Sequence, residues 1–107
     1  VFGRQFNQNV DNLPQKLKSI VFGVDFNQNV DNLPQNLKSI VFVFGSEFNQ
    51  NVDNLPQSLE LITFGENFDQ SLKNLPKTVK KIKLHATTHI RRFELHPNIC
   101  VKIYGYN

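Results

Sequence analysis

Large apolar side chains recur in this chain at fixed places within a unit of about 20 residues. In the first unit these places are held by Phe6, Val10, Leu13, Leu17, Ile20 and Phe22. Ile20 and Phe22 are two residues apart in the β-branched and aromatic segment SIVF, which predicts a short strand with both side chains facing inward. Gly23 follows and predicts a turn at the end of that strand. Each unit is therefore expected to supply one strand and one inward row of anchors.

The unit repeats over residues 1–20, 21–40, 41–62 and 63–82, and a degenerate capping unit is expected over 83–107. Self-similarity at this period predicts a solenoid, here a single domain of about five coils of 20–22 residues with one parallel sheet. The unit is too short for a long helix, so little regular helix is expected. The remaining arc is predicted to hold compact turns, polyproline-like backbone or a single helical turn, and LPQKL is the expected place for a helical turn.

Two details of the periodicity make local predictions. The third unit has two extra residues, an insertion that keeps the alternation of a strand, so Ile40, Phe42 and Phe44 are expected to face inward on a lengthened or bulged strand. In the last unit, the 20-residue step predicts that Tyr104 continues the position of Leu84.

The polar stretch FNQNVDNLPQ occurs unchanged at residues 6–15, 26–35 and 48–57, and the fourth unit carries the variant FDQSLKNLPK. The variant keeps apolar anchors and short polar side chains that bond to backbone in turns, which favours a structural bend over a site in triplicate. We predict a structural ladder that satisfies turn backbone groups, formed by Asn12, Asn32, Asn54 and Asn74. A calcium loop is the functional alternative, but the glycine and the downstream bidentate glutamate of such loops are missing.

The segment LPxxLxxIxFG resembles leucine-rich repeats of the short type, and with FNQ upstream the unit resembles the FNIP repeat of social amoebae and giant viruses that infect amoebae. The sequence departs from many FNIP repeats by having Asn9, Asn29 and Asn51 where proline is common. The resemblance implies a right-handed, leucine-rich-repeat-like β-solenoid used for protein contacts, often behind an F-box in a longer protein. It implies no enzymatic activity and no cofactor.

Charge divides the chain unevenly. Residues 1–69 hold four Lys or Arg against eight Asp or Glu, whereas residues 70–107 hold eight against Glu94 alone. The predicted basic patch consists of Lys73, Lys77, Lys80, Lys81, Lys83, Arg91 and Arg92. A charged end is expected of a solenoid cap, which prevents further stacking. Binding of an acidic protein surface, of nucleic acid or of another polyanion is the alternative role.

The side chains between the inward anchors are expected to form the outward face of the sheet. They differ from coil to coil, as a recognition surface can. The candidate interaction face consists of Ser19, Val21, Ser39, Val41, Leu61, Thr63, Lys81, Lys83, Val101 and Ile103.

Other chemistry finds little support in the sequence. His85, His89, His96 and Cys100 could supply four zinc ligands, but the central gap is much shorter than is usual between ligand pairs, so no metal site is predicted. No phosphate loop, nucleophile elbow or pair of catalytic carboxylates occurs, and we expect a protein that is not an enzyme. A single cysteine favours a reducing, intracellular and cytoplasmic setting, and the lack of an apolar run long enough to cross a membrane predicts no membrane insertion.

These observations predict a non-catalytic protein interaction module, with binding of nucleic acid or a polyanion through the basic C-terminal unit as the alternative. The chain starts at Val1 within a repeat, which is typical of a piece of a longer protein. A monomer, or end-to-end association of such pieces through the first coil, is expected.

Overall fold

The computed structural model describes residues 1–86 and 95–105, and within them the chain winds through one parallel sheet of five strands in the order β1-β2-β3-β4-β5. The strands are β1 (Ser19–Phe22), β2 (Ser39–Phe42), β3 (Leu61–Thr63), β4 (Lys81–His85) and β5 (Cys100–Tyr104). About four turns of the chain connect them, and no helix occurs in the described ranges. The predicted β-solenoid with one parallel sheet is confirmed.

The register of the first four strands follows the sequence repeat. Ile20 pairs with Ile40, Ile40 with Ile62, and Ile62 with Ile82. All four isoleucines are buried, whereas their neighbours along the strands are half-buried or exposed. This alternation is the period of two that a sheet with one face on the core requires.

Two columns of phenylalanine rings fill the interior beneath the sheet. One column holds Phe22, Phe42 and Phe64, and the other holds Phe26, Phe48 and Phe68. Within a coil the paired rings lie 3.9 Å apart between centroids, and between coils the spacing is 5.4 to 6.2 Å. These rings are the largest side chains of the core, whose other buried hydrophobic members are leucine, isoleucine and valine.

The two extra residues of the third unit lie in the corner after β2 and not in the strand. β2 ends at Phe42, as β1 ends at Phe22, and the side chain of Phe44 is 65% exposed. The predictions of an inward Phe44 and of a lengthened strand are therefore wrong. The interior has no room for another ring, because Phe42 already stacks on Phe48 at 3.9 Å. Gly45, with φ of 84°, then turns the chain back toward the next coil.

The last strand is shifted by one residue from its predicted position. Val101 pairs with Ile82 and Ile103 with Leu84, so the final step is 19 residues and the predicted match of Tyr104 with Leu84 is wrong. Val101 packs against the core in this register. The predicted register would put Lys102 in line with the buried Ile82, and burying its charge there would be costly.

The bend of each unit closes without a helix. The backbone N–H of Leu17 donates to the Pro14 carbonyl at 3.3 Å, and the same turn recurs from Leu37 to Pro34, Leu59 to Pro56 and Val79 to Pro76. Compact turns of four residues, one of the three predicted forms, thus occupy these segments, and no helical turn forms there.

Candidate interaction surface

A ladder of side-chain amides runs through the bends of the solenoid. The Oδ1 atom of Asn7 accepts a hydrogen bond from the backbone N–H of Asn27 at 2.8 Å, and Asn27 accepts from the N–H of Asn49 at 2.9 Å. Asn49 accepts from the N–H of Asp69 at 2.8 Å. The glutamines that follow in each coil donate to the same oxygens, as Gln28 does to Asn7 at 3.0 Å. Each rung satisfies a backbone donor of the next coil.

The ladder predicted at Asn12, Asn32, Asn54 and Asn74 lies at the wrong column of asparagines. These four side chains are exposed. Asn32 donates to the Asp11 carboxylate at 3.3 Å and Asn54 to the Asp31 carboxylate at 3.4 Å, so neither of these bonds satisfies turn backbone. The sequence could not separate the two columns by type, because both carry asparagine in three identical copies.

A third column of short polar side chains accepts hydrogen bonds from the backbone N–H groups of the turn at this bend. The Oδ1 atom of Asn9 accepts from the N–H of Asp11 at 2.8 Å, and the same bond recurs between Asn29 and Asp31 and between Asn51 and Asp53. In the fourth unit the Ser71 hydroxyl oxygen accepts from the N–H of Lys73 at 3.1 Å. This replacement confirms that the short polar residues of FNQNVDNLPQ and its variant serve the bend.

The outward face of the sheet brings together two columns of side chains, which we call the outward columns. By strand register one column consists of Ser19, Ser39, Leu61, Lys81 and Cys100. The other consists of Val21, Val41, Thr63, Lys83 and Lys102. All ten side chains are half-buried or exposed. The columns are the same in β1 and β2, and their chemistry changes from β2 to β3 and again from β3 to β4.

The outward columns correct the predicted face at its last coil. Val101 and Ile103 stand in line with the inward Ile82 and Leu84 and leave the predicted face. Cys100 and Lys102 take their places, and both are exposed. The signal that could have found them is the alternation of CVKIY, whose apolar Val101 and Ile103 fit the inward positions of a strand.

Three lysines lie close together at the C-terminal half of this face. Lys83 and Lys102 are direct partners on adjacent strands, and Lys81 is on the same face two residues before Lys83. Within residues 1–86 and 95–105 the one ion pair joins Lys38 to Glu60, at 3.9 Å. Like charges directly opposite each other on a sheet disfavour folding. The three ammonium groups are thus a concentration of positive charge without an acidic partner in the described part of the chain.

The remaining members of the predicted basic patch lie elsewhere or outside the described residues. Lys73 and Lys77 border a cavity of about 230 Å³ with apolar walls; its other lining residues are Leu72, Leu75, Leu95, His96 and Ile99. Lys80 is exposed just before β4. Arg91 and Arg92 fall outside the described residues. The described members of the predicted patch are thus divided among the sheet face, this cavity and the segment just before β4.

The histidines and the cysteine do not assemble as a ligand set. Cys100 opens β5 opposite Lys81, whereas His85 ends β4 opposite Tyr104. Four residues of strand separate the two positions, about 13 Å at the usual rise. His96 borders the cavity, and His89 falls outside the described residues. No group of three or more His, Cys, Asp or Glu suited to a metal ion occurs in the described part of the chain.

His85 is instead part of an aromatic cluster at the end of the sheet. Its ring lies 5.3 Å from that of Tyr104, edge to face, and 5.4 Å from that of Phe44. The Tyr104 hydroxyl donates to the Phe64 carbonyl. Burial raises the pKa of Tyr104, and the negative charge of Glu66 raises it further. The cluster attaches the last strand to the corner that holds the insertion.

Among the described residues there is no helix with the length and hydrophobicity that a membrane span requires. A family model described as FNIP repeat matches the chain over residues 6–42, 26–66 and 48–87. None of the curated proteins compared with the chain matches it.

Proposed function

Because this chain belongs to the FNIP repeat family, we propose that it is a non-catalytic protein interaction module that binds its partner on the outward columns of the parallel sheet. The module could serve as a partner or substrate receptor within a longer protein. The exposed Cys100, the only cysteine of the chain, is suited to a reducing compartment and supports an intracellular setting.

The observation that carries this proposal is the contrast between the two kinds of surface. At the bends the same polar residues return in three identical copies, and their side chains bond to the backbone of their own or the next coil. On the sheet face the equivalent positions hold Ser39, Leu61 and Lys81 in successive coils. A recognition surface requires side chains that differ and are not already used by the fold.

The test compares two variants of equal size and charge. The sheet variant carries Arg in place of Val21, Val41 and Thr63. The bend variant carries Arg in place of Asn12, Gln15 and Asn74, which are exposed at the bends. Partners are crosslinked to the unaltered chain in an extract of the source cells and identified by mass spectrometry, and each purified partner is then titrated against both variants.

We expect the sheet variant to lose the partner and the bend variant to retain it, with thermal melts showing that both are folded. Retention by the folded sheet variant together with loss by the bend variant would place recognition at the bends and refute the proposal.

Binding of a polyanion is the second candidate, favoured by the pairing of Lys83 with Lys102. Such binding should weaken steeply with salt, since each phosphate contact releases counterions. A titration with oligothymidylate or heparin at two salt concentrations measures it. Unchanged affinity after Lys81, Lys83 and Lys102 are replaced by Gln would eliminate this candidate.

A further inference from the structure

The outward columns have a polarity along the solenoid axis. Over β1 to β3 they offer Val21, Val41 and Leu61, and they hold no charged residue. Over β4 and β5 they offer Lys81, Lys83 and Lys102. The apolar half and the cationic half are continuous, because the strands that hold them are hydrogen-bonded neighbours in one sheet.

From this juxtaposition we propose that the face binds an extended acidic segment of a protein, which crosses the strands with apolar residues over β1 to β3 and two or three carboxylates over β4 and β5. This inference rests on the proposed function and adds the chemical class of the partner.

Charge complementarity supports the acidic end of the segment. Lys83 and Lys102 repel each other as direct partners, and Lys81 lies about 7 Å from Lys83 along the same face of β4. No carboxylate of the described residues pairs with any of the three. A carboxylate placed among them would gain attraction from each and remove a repulsion that the isolated chain retains.

The size of the segment follows from the spacing of strands. Five strands at about 4.8 Å span about 19 Å from β1 to β5, which an extended chain covers with about six residues. The lysines occupy the last two strands of this span, so that the acidic part of the segment is about two or three residues long. A partner of this length needs no defined fold of its own.

A protein segment fits the face better than a nucleic acid does. Single-stranded nucleic acid binds through aromatic stacking together with positive charge, and the outward columns have no aromatic residue. A nucleic acid would also leave the valines and Leu61 without an apolar partner. An acidic peptide with an apolar end uses both halves of the face.

The experiment uses defined probes and the full chain. The block peptide Leu-Val-Leu-Asp-Glu-Asp, labelled with fluorescein, is compared with the alternating isomer Asp-Leu-Glu-Val-Asp-Leu, with a neutral version of the block peptide carrying Asn and Gln, and with an oligothymidylate of equal length. In an extended chain the alternating isomer directs its acids and its apolar groups to opposite sides. Affinities are measured by fluorescence anisotropy at low and physiological salt.

Two charge-reversal variants separate the cationic half from general charge. The first variant combines Lys81→Glu, Lys83→Glu and Lys102→Glu. The second variant combines Arg4→Glu, Lys16→Glu and Lys18→Glu, at three positions of the first unit that are all exposed. We expect the first variant to bind the block peptide roughly tenfold or more weakly, because the loss of each exposed ion pair lowers the affinity a few-fold. The second should change it less than about threefold, because those charges are far from the lysines and screened.

The chain's only cysteine reports where the probe binds, since Cys100 is exposed and pairs with Lys81. We expect the bound block peptide to slow alkylation of Cys100 by iodoacetamide several-fold, which binding at a bend would not do. Equal binding of the block peptide to both charge-reversal variants, or of the block and neutral peptides to the unaltered chain, would overturn the inference.

The remaining outcomes separate this inference from the proposed function. Tighter binding of oligothymidylate than of the block peptide, lost in the Lys81, Lys83 and Lys102 variant, would replace the acidic protein segment with a nucleic acid. A natural partner that is lost when Val21, Val41 and Thr63 are altered but retained by that lysine variant would leave the interaction module standing and refute the acidic segment.

Discussion

The backbone N–H of Asn27 donates a hydrogen bond to the side-chain oxygen of Asn7 at 2.8 Å, across one full coil of the solenoid. The side-chain oxygen of Asn27 in turn accepts from the N–H of Asn49. One residue therefore links three coils, and its amide completes the backbone hydrogen bonding of a bend that has no strand. This relationship explains why an otherwise solvated polar stretch is repeated without change.

Asn27→Ala should lower the free energy of unfolding by about 1 to 2 kcal/mol, because the N–H of Asn49 loses its acceptor and the amide of Gln50 loses one of its two. Asn32→Ala is the matched control. Asn32 is exposed and makes a 3.3 Å contact with Asp11, so its loss should cost less than about 0.5 kcal/mol. Urea denaturation measures both. Equal effects of the two substitutions would contradict the ladder assigned to the Asn27 column.

Phe42→Ala should cost about 3 to 5 kcal/mol, a large part of the stability of a domain of this size. Phe42 is fully buried and stacks on Phe22, Phe48 and Phe64. Phe44→Ala removes the same side chain two residues later, where it is 65% exposed, and should cost less than about 1 kcal/mol. Thermal melting of the two variants compares them, and a more damaging Phe44→Ala would show that the insertion belongs to the core.

Gly23→Ala should destabilise the first coils by about 1 to 3 kcal/mol. A Cβ atom at Gly23 would lie 2.4 Å from the Gly3 carbonyl oxygen and 2.8 Å from the Arg4 Cα, so the backbone of two coils would have to separate. Gly3→Ala is the control, since a Cβ there meets no atom within 4 Å. Its effect on the midpoint of denaturation should be within about 0.5 kcal/mol. Similar midpoints for the two variants would show that the coils are not in close contact at Gly23.

The Tyr104 hydroxyl should lose its proton only above pH 10, because burial and the charge of Glu66 raise its pKa in the folded chain. The unfolded chain releases this proton first, so Tyr104 leaves stability unchanged below pH 10 and reduces it as the pH rises further. Tyrosinate absorbance is titrated in the unaltered chain and in Tyr104→Phe. The difference between the two curves reports Tyr104 without the contribution of Tyr106. Glu66→Gln should move the midpoint back toward 10, and a midpoint at or below 10 in the unaltered chain would contradict the assignment.

The sequence determined most of the fold through its periodicity. A repeat of about 20 residues can bury Ile20 and Phe22 only against their equivalents in the next coil, and Ile20 pairs with Ile40 as that repeat requires. The alternation of each strand also fixed which side chains face outward over β1 to β4. The family could be recognised from the same residues, and the match to the FNIP repeat over residues 6–87 agrees with it.

Only the tertiary structure decided the remaining details. In each of them, several residues of one type, or several strand registers, were equally compatible with the sequence pattern. Identical copies of a stretch hold several asparagines, and their different hydrogen bonds depend on which of them faces the neighbouring coil. Phe44 was excluded from the interior because stacked rings already fill it. The alternation of apolar residues along a strand does not show how much volume is free inside. The last strand moved by one residue because burial of Val101 is favourable and burial of Lys102 is not, and this shift placed Lys102 opposite Lys83.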